Sequence, residues 1–503
     1  MTAVDPVIEA RFQALPLRDL ADAALHTALK LGADEAAVRI ERIRTAHTVL
    51  YDARPRGSDD LVDLALGVQV SCRGTAGFGS VAELTTAGAA RAAEYAVAMA
   101  GAGSRAGSAF PPADERPAGH AVWSSPCERD PFAVPAAEVV GLLDTWSTRL
   151  LAHPVVAHVM AKVTVARENK YYADTNGSSI VQQRTRIHPQ VVAVGERSSG
   201  GAASMRTVGP PTARGWEYVC GQGWDWNAEL AGLPELLAGK LAARPVQPGS
   251  YDLVLAPSHL WLTIHESVGH ATEMDRMLGS ETSYAGGSFV RPGDVGSLLY
   301  GSALMTVTAD RTSAYGLASA GYDDEGVAAQ DWTLVDRGVL VGAQTDRRTA
   351  ARARADRSTG CAYAESARHE AISRMPNVSL QPDPAGPDET ALIAGVENGL
   401  YLTGSDSWSI DSQRRSFQFT AQACHLIRNG RLAGQVDGAA YQSDTLTFWR
   451  SLVAVGNSST YGTFGADLCG KGQPVQAAAV SHGAPAAVFT GVRVVDAERD
   501  VPR

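Results

Sequence analysis

Two imidazoles and a carboxylate stand within six residues, His265-Glu266-Ser267-Val268-Gly269-His270. Neutral imidazole is the commonest protein ligand for a transition metal, and zinc takes His nitrogens at about 2.0–2.1 Å. The familiar H-E-x-x-H pattern puts its histidines at i and i+4 on one helical face, with the Glu as general base. Here the spacing is one residue longer. At roughly 100° per residue, positions i and i+5 lie about 140° apart on a regular helix and do not share a metal. The spacing therefore predicts irregular backbone over Ser267–Gly269. Either a π-bulge, with its i→i+5 hydrogen bond, brings the two rings back over one another, or the helix breaks at Gly269.

Two histidines leave a catalytic zinc site incomplete, because three protein ligands and one open position are usual. His369, Cys424, His425, Cys469 and His482 are the downstream candidates for the third. Cys469 is the best of them: the glycines of Cys469-Gly470-Lys471-Gly472-Gln473 let backbone approach a ligand closely, and a thiol facing a dication is deprotonated outright. Glu273 and Asp275 follow His270 at helical offsets. Ligating histidines hand their second nitrogen to a carboxylate or carbonyl, so one of these acids is expected to accept from an imidazole. Asp323-Asp324-Glu325 lies in a glycine-flanked loop and reads as a solvated turn, with a second cation site or a cleft wall as alternatives.

The elements that must position these groups fall into three stretches. In the first, residues 1–105, Leu17, Leu20, Ala24, Ala28 and Leu31 form an apolar stripe at helical spacing that ends at Gly32. Strands follow from Ala36 and through Leu66–Val81, then an Ala-rich helix from Thr86 to Ala100, capped by Thr85 or Thr86. In the second, residues 106–244, a Gly- and Pro-rich linker over 101–135 leads into a helix over Ala136–Leu151. A hairpin turning at Asn176-Gly177 and a helix near Asn227–Ala243 complete it. In the third, residues 245–503, Tyr251–Leu255 reads as a strand feeding the helix that bears His265, and short strands with Gly, Asp and Asn turns run almost to the end. The fold class expected is α+β: small N-terminal α+β domains, then a large, mainly antiparallel β domain carrying the metal-binding helix.

Composition narrows the classes. A chain of 503 residues exceeds one ordinary core. Its formal net charge of -10 and lack of a basic run argue against nucleic acid or an anionic membrane as partner. No unbroken apolar stretch reaches the roughly 18 residues of a transmembrane helix, and Met1–Pro6 lacks the opening of a signal peptide. The six cysteines are scattered, which suits a reducing, cytoplasmic compartment.

Taken together, His265 to Asp275, Gly321-Tyr322-Asp323-Asp324-Glu325-Gly326-Val327, Asp346-Arg347-Arg348-Thr349-Ala350, Cys469 to Gln473 and Gly77-Phe78-Gly79-Ser80 carry a resemblance. From about residue 15 to 500 the chain resembles the TldD/PmbA family of zinc metallopeptidases, on its catalytic, TldD-like side. Arg374-Met375-Pro376-Asn377 is close to a further family element, while Ser405–Arg415 lacks the Asn-Pro turn expected there. The resemblance implies Zn2+ held by His265, His270 and Cys469, with Glu266 as the catalytic glutamate. It implies hydrolysis of peptide bonds in unfolded or extended peptides by water, with Glu266 taking the proton. It also implies a dimer, either with itself or with a PmbA/TldE-like paralogue lacking the metal ligands. Tyr322, the Gly-rich segments and the Arg347/Arg348 pair are candidate contacts to the substrate oxyanion, the arginines reading first as a surface ion pair with Asp346. An amide hydrolase serving maturation of a peptide natural product, and a non-catalytic scaffold subunit, are the alternatives; retention of Glu266 and all three ligands argues against the scaffold.

Overall fold

The computed structural model describes residues 7–103, 118–198 and 200–497. The signal-peptide reading at Met1–Pro6, the 105/106 division and the linker segment 104–117 lie outside the described residues. The rest of the expected linker holds structure: a strand at His120–Ser124 and a short 3₁₀ turn at Pro131–Ala133.

The N-terminal half is built on strands that pair antiparallel, with one exception. These are β1 (Glu35–Tyr51), β2 (Arg54–Cys72), β3 (Thr75–Val81), β4 (His120–Ser124), β5 (His158–Asp174), β6 (Ser179–Glu196) and β7 (Ala202–Arg206). They form one seven-stranded sheet in the order β3-β2-β1-β5-β6-β4, with β7 on β6; the exception is β4, which runs parallel to β6. β1 of the first expected stretch pairs with β5 of the second from Ala37↔Asp174 to Tyr51↔Met160. Strand side chains alternate between faces. One face carries two apolar patches. Val38, Ile40, Tyr171 and Ala173 pack with the helices Leu17–Lys30 and Thr86–Gly103. Leu50, Val159, Ala161 and Val163 pack with the helices Ala136–Leu151 and Trp226–Ala242. The predicted punctuation is present: Gly32 and Gly177 have φ of +91° and +97°, and the Thr85 hydroxyl caps its helix by accepting from the Gly88 N–H at 3.0 Å.

The C-terminal half is mainly β. In chain order its strands are β8 (Arg244–Pro245), β9 (Gly249–Leu255), β10 (Val307–Asp310), β11 (Asp331–Asp336), β12 (Val339–Leu340), β13 (Ala362–Tyr363), β14 (Ile372–Ser373) and β15 (Asn377–Leu380). There follow β16 (Asn398–Ile410), β17 (Ser416–Arg428), β18 (Arg431–Asp437), β19 (Ala439–Asp444), β20 (Leu452–Val455), β21 (Gly462–Lys471), β22 (Gln476–Ala484) and β23 (Ala487–Asp496). Eight of these make a sheet in the order β16-β9-β23-β19-β17-β18-β8, with β20 on β23. β21 and β22 form a separate antiparallel pair, and β15 closes a four-stranded sheet with β10, β11 and β12. Leu253, Leu255, Leu400, Leu402, Phe417, Phe419 and Phe489 share one core with Leu260, Ile264 and Val268 of the histidine-bearing segment. This is the α+β arrangement, with a large β domain, that the sequence led us to expect. No helix among the described residues is long and apolar enough to cross a membrane.

The halves meet through the other face of the N-terminal sheet, which is charged and buried. Lys170 Nζ pairs with Asp324 at 2.8 Å and donates to the Ala364 carbonyl at 3.1 Å. Arg184 donates to the Leu317 carbonyl at 2.7 Å and pairs with Glu168 at 2.6 Å. The Asp323-Asp324-Glu325 loop is therefore a buried seam, not a solvated turn: Asp323 accepts from the N–H groups of Glu325, Val327 and Ala362.

Candidate metal centre

The histidine-bearing segment starts where β9 ends, with Pro257 at the first position of the helix Pro257–Ile264. The helix then loosens into one π turn, His265–Gly269, and tightens into a 3₁₀ turn, His270–Thr272. The His270 N–H bonds to the His265 carbonyl, five residues back. That bond absorbs the extra residue and brings the two histidines to one side, their rings edge-on at 79° with centroids 4.7 Å apart. Gly269 is not a break: its φ and ψ are -54° and -63°, within the helical range. Its small size serves packing instead, because a Cβ there would stand 2.4 Å from Met375 Sδ. A π turn disturbs the helical ladder, and side chains take up the slack. Tyr300 Oη donates to the Ser267 carbonyl, Trp449 Nε1 to the Ser267 hydroxyl at 2.9 Å, and Gln344 Nε2 to the Gly269 carbonyl at 2.6 Å.

Each histidine is committed at one nitrogen. His482 lies on β22 beside β15, where its Nδ1 is 2.9 Å from the Val378 carbonyl. A carbonyl only accepts, so His482 Nδ1 carries the proton and its Nε2 is an acceptor. His265 Nδ1 is 2.7 Å from that Nε2 and must donate, leaving His265 Nε2 with a free lone pair. His270 Nδ1 lies 2.8 Å from Glu273, an acceptor, so its Nε2 is likewise free. Burial, outweighing the neighbouring carboxylates, lowers both imidazoles below their ordinary pKa, which favours the neutral form that ligation requires.

Cys469 approaches from β21, and its Sγ is 3.4 Å from His270 Nε2. Donor atoms of His265, His270 and Cys469 all lie within 4.8 Å of one another, and all three residues are buried. Burial by itself raises the Cys469 thiol, but His270 and Arg374 beside it outweigh burial and hold it below its ordinary value. The donor set fits zinc, which takes imidazole and thiolate together; a tetrahedral ion at usual bond lengths needs an N···S separation of about 3.5 Å.

Two residues beyond Cys469, on the same strand face, Lys471 is fully buried and its ammonium reaches Glu273 at 3.0 Å, Asp275 at 2.7 Å and the Ser373 carbonyl at 2.7 Å. Arg276 Nε adds a bond to Glu273 at 2.6 Å. Burial opposes ionisation of Glu273, yet Lys471 and Arg276 hold its pKa well below the usual carboxylate range. Of the two acids expected to orient an imidazole, Glu273 faces His270, and Asp275 faces Lys471 instead. Glu266 projects beside the histidines and pairs with Arg414 at 2.7 Å. Tyr322 and Arg347 are tied into the seam: the Tyr322 N–H donates to Gln182 at 2.8 Å and the Arg347 N–H to Glu325 at 2.8 Å. His482 stood among the sequence candidates as a ligand, and the structure makes it the hydrogen-bond partner of His265. Arg414 was not singled out; its only signal was its position in the run that departs from the expected pattern.

Residues 248–496 match the family model described as the PmbA/TldA metallopeptidase C-terminal domain. A metalloprotease from Methanothermobacter thermautotrophicus is 28% identical over 348 residues, covering 69% of this chain and 72% of that protein. A zinc metalloprotease TldD homolog from Saccharolobus solfataricus is 26% identical, covering 52% of this chain and 55% of that protein. A metalloprotease from Methanocaldococcus jannaschii is 31% identical over 41% of this chain and 43% of that protein; the chain thus matches only about half the length of these two relatives. Among solved structures, a protein from Thermotoga maritima titled as a modulator of a DNA gyrase superposes with a TM-score of 0.73 at 16% identity, covering 95% of this chain and 100% of that one. TldE from Thermococcus kodakarensis superposes with a TM-score of 0.70 at 14% identity, covering 94% and 98%. At such identities the structural likeness speaks for the fold.

Proposed function

The chain belongs to the TldD/PmbA family, and from that premise we propose that it is a zinc-dependent peptidase acting on extended or unfolded peptides. The observation that carries this reading is the convergence of Cys469 on two histidines 199 and 204 residues earlier in the chain, each with its Nδ1 already committed. Such an arrangement leaves three donor atoms facing one another, with the Cys469–His270 contact as the hydrogen bond between them among the described residues. His265, His270 and Cys469 would hold the ion. When bound, zinc supplies Lewis acidity toward the scissile carbonyl and toward water. The chain's own residues do the rest. Glu266, adjacent to His265, takes a proton at a carboxylate oxygen and returns it to the leaving amine. His482 and Glu273 keep the imidazoles in the required tautomers, and Lys471 keeps Glu273 anionic.

An extended substrate suits the many strands of this half, where an added strand is held by backbone groups and cleavage tolerates varied side chains. The likeness to TldE supports pairing with a paralogue or with a second copy. The test is metal content and cleavage of an unstructured peptide by wild type, Glu266→Ala and Cys469→Ala. Glu266→Ala should keep its zinc and lose about 10²–10⁴-fold in kcat. Cys469→Ala should lose zinc affinity. Full activity in the first, or wild-type affinity in the second, refutes the assignment.

A further inference from the structure

Hydrolysis of an amide places negative charge on the carbonyl oxygen, and a donor fixed in position beforehand stabilises that charge best. The turn between β16 and β17 supplies one. Asp411 organises the turn: its carboxylate accepts from the N–H groups of Gln413 at 3.0 Å, Arg415 at 2.9 Å and Ser416 at 3.2 Å. The turn is also fastened to its surroundings. The Phe289 N–H donates to the Gln413 carbonyl at 2.7 Å, the Thr445 N–H to the Arg415 carbonyl at 2.7 Å and the Thr445 hydroxyl to the Arg414 carbonyl at 2.8 Å. Within it Arg414 has a φ of +63°, a left-handed conformation that costs any residue with a Cβ.

The strained backbone delivers a guanidinium to the metal centre. Nη1 lies 2.7 Å from Glu266 and Nη2 donates to the Ala285 carbonyl at 3.0 Å. Nε is buried and, like the Nε of several other buried arginines, has no acceptor among the described residues. Strained backbone persists where surrounding structure enforces it and clusters at working sites.

Building on the peptidase reading, we propose that Arg414 is a catalytic residue, the fixed cation that stabilises the substrate oxyanion while it orients Glu266. Water oxygen bonds to the carbonyl carbon, the C=O π pair moves onto oxygen, and the water proton passes to Glu266. Arg414 faces the charge so formed. On collapse that pair reforms C=O, the C–N bond breaks, and Glu266 gives its proton to the departing nitrogen.

Arg414→Gly suits the positive φ and removes the guanidinium while leaving the turn its shape; Arg414→Lys keeps a charge without the planar fork. Both are to be compared with wild type in zinc content, in peptide cleavage and in affinity for a phosphinic peptide, whose tetrahedral anion imitates the oxyanion. Arg414→Gly should keep its zinc and its KM, lose about 10²–10³-fold in kcat, and bind the phosphinic peptide more weakly by a comparable factor. Arg414→Lys should recover part of both, and added guanidinium chloride should partly restore Arg414→Gly. Phosphinic-peptide affinity unchanged in Arg414→Gly, or activity lost only in step with zinc, overturns the assignment. If wild type cleaves no peptide, the peptidase reading fails alone, and the phosphinic-peptide measurement still decides Arg414.

Discussion

His482 shows how a single residue settles the chemistry of another. Its Nδ1 is fixed by the Val378 carbonyl, so its Nε2 can only accept, and His265 is thereby left with one free nitrogen. Here an imidazole fills this role without adding negative charge beside His265. Burial, reinforced by His265 nearby, lowers the His482 pKa well below its ordinary value, so it stays neutral. Replacing His482 by Ala removes the acceptor of His265 Nδ1. Zinc affinity should then fall about 10–100-fold, read by competition with a chromophoric chelator. Unchanged affinity would mean that His265 needs no orientation from this side.

At the scale of elements, the π turn depends on its neighbours. Tyr300 and Gln344 each donate to a backbone carbonyl of the turn, Trp449 holds the Ser267 hydroxyl, and Met375 fills the space above Gly269. Gly269→Ala should therefore destabilise by about 1–3 kcal/mol through overpacking, not through backbone conformation. The pairing with Met375→Ala separates the two causes. If the clash with Met375 is responsible, urea unfolding of the double variant will show less destabilisation than the sum of the single changes. Strict additivity would point to the backbone.

At the scale of the molecule, the two halves are joined by buried charges. Glu168 is held by Arg184 at 2.6 Å and Arg186 at 2.5 Å, with the Tyr363 hydroxyl at 3.2 Å. Burial alone would raise its pKa, but Arg184, Arg186 and Lys170 outweigh burial and push it well below the usual carboxylate range. A depressed pKa stabilises the folded state above the unfolded value of about 4.3, and that contribution disappears as pH falls through the folded value. Glu168→Gln leaves two buried guanidinium groups without their partner and should cost about 3–5 kcal/mol at pH 7. Its melting temperature should then fall less steeply than that of wild type as the pH is lowered below about 4.3. Parallel acid limbs for the two proteins would exclude Glu168 as a source of the acid sensitivity.

Local signals carried a good part of this in the chain itself. Helical stripes, the Asn176-Gly177 turn, the α+β class and the irregular backbone at Ser267–Gly269 all follow from spacing and from residue conformational preferences, which act over a few positions. The i, i+5 histidines demanded a π turn or a break, and local geometry could not choose between them. Tertiary structure chose the π turn, because Tyr300 and Gln344 donate to its carbonyls, Trp449 anchors the Ser267 hydroxyl and Met375 leaves room only for glycine. The same distinction governs the rest. That the Asp323–Glu325 loop is a seam and that Arg414 lies on Glu266 are facts about partners more than 100 residues away. Such contacts leave no periodicity in the sequence, and only the folded chain brings them together.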